Sequence, residues 1–166
     1  VRTRADATNK CRVSPQRLVL YALCWGVVCA LLVVLNLFLA GRLATLHLPS
    51  LLAVFSAGGA AGWLLSALLL LAGQSFLRGR FLRFALAFLL LFCTTLFLTS
   101  GLFALHYRSF YAQWHADAFS RDWILQFIFT SASATYQFFV IGTRLFGVAS
   151  IPAFLAGSAI LIRSIR

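Results

Sequence analysis

The chain has 166 residues, 62% of them hydrophobic, with 14 Lys+Arg against 3 Asp+Glu and a formal net charge of +11. Soluble domains are about 45–50% apolar and about 25% charged, whereas 10% of this chain is charged. A water-soluble globule is excluded, and the class expected is an all-α integral membrane bundle. In a soluble protein such basicity would point to nucleic acid. In a bilayer protein it anchors helices against anionic phospholipid, so the partners expected are lipid and other membrane subunits or further copies of the chain.

Residues 1–13 read as a basic cytoplasmic tail and residues 14–166 as a single transmembrane helical domain. Ser14 is placed to cap the first helix, and Pro15 suits its first position, where the missing N–H has no helical partner to lose. The uncharged run Leu18–Gly41 has 24 residues. At about 1.5 Å per residue that crosses a hydrocarbon core of about 30 Å. A signal-peptide core has about 7–15 apolar residues, so this run reads as a retained signal anchor.

The second run, Leu43–Leu77, is too long for one span. Pro49-Ser50 marks a helix start, leaving a span near Ser50–Leu71. Inside it Gly58 and Gly62 form a G-x-x-x-G, extended by Ser56, Ala57, Ala60 and Ala61. Small residues at that spacing let another backbone approach closely, and the groove fits an internal helix pair or a partner subunit.

Phe84–Tyr107 is the third span. The stretch His106–Trp123 follows it as an external loop. Tyr107, Phe110, Tyr111 and Trp114 fall near one helical face there, the pattern of an amphipathic helix at headgroup depth. Asp117 and Arg121 are spaced for a surface pair, and Ser120 or Asp122 for capping the next helix.

The fourth run, Trp123–Thr143, carries a polar intramembrane face. Gln126, Thr130, Ser133, Gln137 and Arg144 follow one another at spacings of four, three, four and seven, the rhythm of one helix side. An unsatisfied polar group in hydrocarbon costs several kcal/mol, so this face is expected to meet protein or a wet cavity. It serves either as glue between helices or subunits or as a lane for a polar substrate. Arg144 has no intramembrane carboxylate to pair with, because the only acids are Asp6, Asp117 and Asp122. It must reach lipid phosphate, backbone carbonyls, or an anion from elsewhere.

The last run, Leu145–Ile162, contains Pro152 and allows three arrangements. It can cross as a fifth transmembrane helix, lie half-inserted or interfacial after four full spans, or be the last span behind a re-entrant fourth run. Four spans plus a half-inserted or interfacial helix is the arrangement expected. The cations settle orientation. With the N-terminus cytoplasmic, Arg2, Arg4, Lys10, Arg12 and Arg17 and the second loop (Arg78, Arg80, Arg83) place eight inside, against Arg42, Arg108 and Arg121 outside, with Arg144, Arg163 and Arg166 unassigned.

Enzyme chemistry finds little support, and no catalytic residue is expected. No carboxylate pair sits on any span, as an intramembrane aspartyl hydrolase would need, and the chain has no Glu for proton-coupled export. The histidines and Asp117 match no metal-site spacing, so neither metal nor cofactor is expected. The cysteines form no C-x-x-C, and Cys24, Cys29 and Cys93, inside apolar runs, read as small buried hydrophobes. Thirteen arginines to one lysine suggest a GC-rich bacterial genome, hence a multi-pass protein of the cell inner membrane. The function expected is that of a non-catalytic accessory or structural subunit of a larger membrane complex. Its rival is a small homo-oligomeric transporter or flippase for an anionic or lipid-linked substrate.

Overall fold

The computed structural model describes residues 14–44, 47–73, 79–114 and 116–165, and among these no strand occurs. The basic tail, Arg78, His115 and Arg166 lie outside the described residues. Five helices follow in order: α1 (Pro15–Leu39), α2 (Leu48–Gly73), α3 (Arg80–Tyr111), α4 (Arg121–Val140) and α5 (Ser150–Ser164). Four segments are long and apolar enough to cross a membrane: α1, α2, α3 and the stretch Arg121–Phe146 that contains α4. The all-α bundle read from composition and run length is therefore the architecture observed.

The helix starts follow from local chemistry. Ser14 occupies the N-cap of α1 in extended conformation and Pro15 its first position. The cap acts through the backbone, since the Ser14 carbonyl accepts from the amides of Arg17 and Leu18 while its hydroxyl makes no capping bond. At α4 the side chain does the capping, with the Trp123 amide donating to Ser120 Oγ at 3.1 Å.

Helix α2 packs against both α1 and α3, and its small residues explain how. Gly59 faces Cys29 and Gly26 of α1, while Gly58 and Gly62 face Thr99 and Thr95 of α3. A methyl group built at Gly62 would lie 2.7 Å from Thr95 Cα, and one at Gly58 would lie 2.6 Å from Thr99 Cα. The neighbour at both sites is backbone, so only glycine permits this approach. Of the two uses open to the Gly58/Gly62 groove, the structure makes the internal one: α3 fills it.

Hydroxyls then tie the pair together. Ser66 Oγ lies 2.7 Å from both the Gly62 carbonyl and Thr94 Oγ1, and Thr94 Oγ1 lies 2.9 Å from that same carbonyl. Trp25 Nε1 donates to Thr95 Oγ1 at 3.3 Å, joining α1 to α3. Trp63 stacks beside Tyr21 and Trp25. In hydrocarbon such bonds replace the hydrophobic drive that holds soluble cores, because lipid tails are as apolar as leucine.

Helix α3 runs on to Tyr111 and ends in a 3-10 turn, Ala112–Trp114. This corrects the separate amphipathic helix expected over the external loop. Tyr107, Phe110 and Tyr111 are the last turns of α3, stacked ring against ring with Trp114. The aromatic periodicity was that of α3 itself, which no proline interrupts before His115.

Heights along the bundle follow from the cross-contacts. Asn36, Phe55, Phe103 and Arg108 all belong to the end where α1 and α3 finish and α2 starts. Helix α4 begins there, its Trp123 and Phe127 rings under the Arg108 guanidinium. It also finishes in that half, with Phe138 against Phe55 and Phe103. Its length is about 30 Å at about 1.5 Å per residue, so it lies obliquely across the core.

A 3-10 turn, Gly142–Phe146, then leads to Gly147 in the left-handed region (φ 65°). Helix α5 descends from that turn antiparallel to α1 and α3. Phe154 packs on Trp25 and Phe92 near the middle of their helices, and Gly157 lies against the Trp25 indole and Leu91. The remaining rise to Ser164 carries Arg163 toward the end where α1 and α3 begin, the end that holds Arg17, Arg80 and Arg83.

Candidate functional site

Gln126, Thr130, Ser133 and Gln137 lie on the unbroken helix α4, and Arg144 lies beyond its end. Gln126 turns to the preceding loop, its Oε1 accepting from the Ala116 amide at 3.0 Å. Thr130 donates to its own helix at the Gln126 carbonyl, 2.6 Å away. Ser133 is exposed and Gln137 half-buried. The helix stops at Val140, so Arg144 leaves the periodic face and sits exposed in the 3-10 turn. The spacing of seven between Gln137 and Arg144 spans this break and does not put them on one side.

Among the described residues no side-chain hydrogen bond joins α4 to α1, α2, α3 or α5. Only Ala134 and Phe138 of its residues are buried. At its start the half-buried Arg108 guanidinium stands 3.9 Å from the Phe127 ring centroid and 4.9 Å from that of Trp123. Those rings stabilise the cation where an anion is missing. No ion pair forms between Asp117 and Arg121 in the structure; Asp117 instead closes the turn, its carbonyl accepting from the Ser120 amide.

Arg144 lies on the rim of a lateral cavity of about 590 Å³. Asn36 and Ser150 line it beside Arg144, and Phe92, Leu96 and Phe154 form its apolar wall. Asn36 Nδ2 donates to the Arg144 carbonyl at 2.9 Å. That bond spends the amide on backbone and leaves the guanidinium free of it. No acidic residue lines the cavity.

Asn36 went unnoticed in the sequence, although it is the one amide inside the run Leu18–Gly41. The hydroxyl ladder Thr94, Thr95 and Thr99 was equally legible and equally overlooked. A second cavity, about 560 Å³, opens between the start of α2 and the end of α3 and is lined by His47, His106, Tyr107 and Tyr111 among others. No group of three metal-binding side chains occurs among the described residues.

No family model, no curated protein and no solved structure matches the chain.

Proposed function

We propose that this protein is a non-catalytic, small multi-pass membrane protein that serves as an accessory subunit of a larger membrane complex, with α4 as its docking helix. One observation carries the reading: α4 carries Ser133 and Gln137 at membrane depth, and no other described helix bonds to them. The small-residue groove of α2 and the hydroxyls of Thr94 and Thr95 are consumed inside the three-helix core. Ser133 and Gln137 form no bond to another described helix, and a hydroxyl or amide at membrane depth is stabilised by a partner.

The rival reading, a homo-oligomeric transporter or flippase for an anionic or lipid-linked substrate, draws on Arg144 and its lack of a carboxylate. Gentle detergent extraction followed by affinity purification separates the two. Stoichiometric recovery of one unrelated membrane protein, lost in a Ser133→Leu/Gln137→Leu variant, supports the subunit reading. A monodisperse homo-oligomer with no second protein overturns it.

Orientation belongs to the same proposal. The N-terminus is placed in the cytoplasm of a bacterial cell, with α5 running back toward the inner face. Arg163 then joins Arg17, Arg80 and Arg83 on the inner face, as the distribution of cations favours. A Ser164→Cys variant should resist an impermeant thiol reagent in intact cells and react after lysis. Labelling in intact cells would overturn this orientation.

A further inference from the structure

The lateral cavity beside α5 has the form of an amphiphile. Its polar end lies near the finish of α1, where Arg144, Asn36, Thr143 and Ser150 meet. Its apolar end lies against Phe92 and Leu96 in the middle of α3 and against Ile151 and Phe154 of α5. Arg144 is exposed, makes no ion pair with a described residue, and has no acidic neighbour on the cavity wall. The N-terminal turn of α5 opens onto the same rim and adds its positive dipole end.

From this pairing of cation and apolar wall we infer that the cavity is a binding site for an anionic glycerophospholipid. The headgroup phosphate accepts charge-assisted hydrogen bonds from the Arg144 guanidinium. One acyl chain runs down the groove over Leu96, Ile151 and Phe92 toward the middle of the bundle. Asn36 acts as a positioning residue: by holding the Arg144 carbonyl it fixes the 3-10 turn and so the direction in which the arginine can reach. The site goes beyond the subunit reading and is independent of it, because it needs no second protein.

Charge complementarity selects the occupant. A zwitterionic lipid brings its own cation to the rim and gains little there. A soluble anion cannot use the apolar wall, which forms most of the cavity. A cation beside an anionic headgroup favours binding about fivefold, which is about 1 kcal/mol.

Native mass spectrometry of the detergent-solubilised protein with phosphatidylglycerol and phosphatidylcholine at equal concentration tests the site. Phosphatidylglycerol should be preferred about fivefold. Arg144→Gln should abolish the preference, Arg144→Lys should keep most of it, and Arg121→Gln, exposed elsewhere, should leave it unchanged. Ile151→Trp should reduce occupancy by both lipids by filling the groove. The inference is overturned if Arg144→Gln retains the preference, or if inorganic phosphate alone displaces the lipid, which would define a free-anion site. A thermal melt of each variant guards against misfolding. Arg144 contributes only backbone groups to the hydrogen bonds of the fold, so Arg144→Gln should melt with the parent protein.

Discussion

Replacing Gly62 by alanine asks whether the α2–α3 contact is as close as the structure has it. The added methyl would stand 2.7 Å from Thr95 Cα and 2.8 Å from Thr95 N. Carbon atoms pack at about 3.5–4.0 Å, so the helices must part by about 1 Å. The neighbour is backbone and cannot swing aside. That displacement takes the 2.9 Å approach of Thr94 Oγ1 to the Gly62 carbonyl beyond hydrogen-bonding range. One such bond is worth about 1 kcal/mol net, and overpacking costs about 1–3 kcal/mol.

Helix propensity works in the opposite direction, favouring alanine over glycine by about 1 kcal/mol. The net expectation is a loss of about 1–2 kcal/mol, from those same overpacking and propensity terms. Gly101 supplies the control, since a methyl there meets nothing within 4 Å. Gly101→Ala should stabilise by up to about 1 kcal/mol. Unfolding in mixed mild-detergent and dodecyl sulfate micelles, followed by circular dichroism, reads both. The two variants should shift the midpoint in opposite directions. If Gly62→Ala stabilises as Gly101→Ala does, the close α2–α3 approach is refuted.

Trp25→Ala should cost about 3–5 kcal/mol, and Trp25→Phe only about 1 kcal/mol for the bond to Thr95, read as midpoint shifts in the same titration. Gly147→Ala should loosen the α4–α5 turn, because its φ is 65° and a methyl would stand 2.7 Å from Asn36 Oδ1. Asn36→Ala removes that clash, so the double variant should be less damaging than the sum of the singles; strict additivity in the melts would contradict the contact. Arg108→Gln should weaken the start of α4 by about 0.5–2 kcal/mol and speed amide exchange over residues 121–127, while unchanged exchange would argue against the stacked cation.

What could be read in advance is instructive residue by residue. The spans α1 to α3 were visible because charge-free runs and a membrane of fixed thickness leave little freedom. The caps at Ser14 and Ser120 were visible because capping is decided within one turn of chain. The Gly58/Gly62 groove was visible as a groove but not its occupant, since which helix lies opposite depends on the tertiary arrangement. The extent of α3 past His106 was obscured because its interfacial rings keep helical spacing inside or outside a membrane.

The departure of Arg144 from the polar face of the fourth run was hidden for a related reason. Periodicity assumes an unbroken helix, and the break at Ile141–Gly142 carried Arg144 off the register. The role of Asn36 depends on a partner 108 positions away, a separation that no local pattern records. The course of α5 likewise rests on Trp25 and Leu91, both far away in sequence.

That dependence has a consequence for biogenesis. Helices α1, α2 and α3 are neighbours in sequence and in space, so each can dock as it leaves the insertion machinery. Helix α5 has no such neighbour: its seat is built from Trp25, Leu91 and Phe92, and the turn leading into it is anchored at Asn36. The C-terminal segment therefore finds its place only on a finished three-helix assembly, and a lesion deep in α1 is felt as loss of the chain's last segment. Quality control that recognises an undocked C-terminal segment would, in this molecule, be inspecting the first helix.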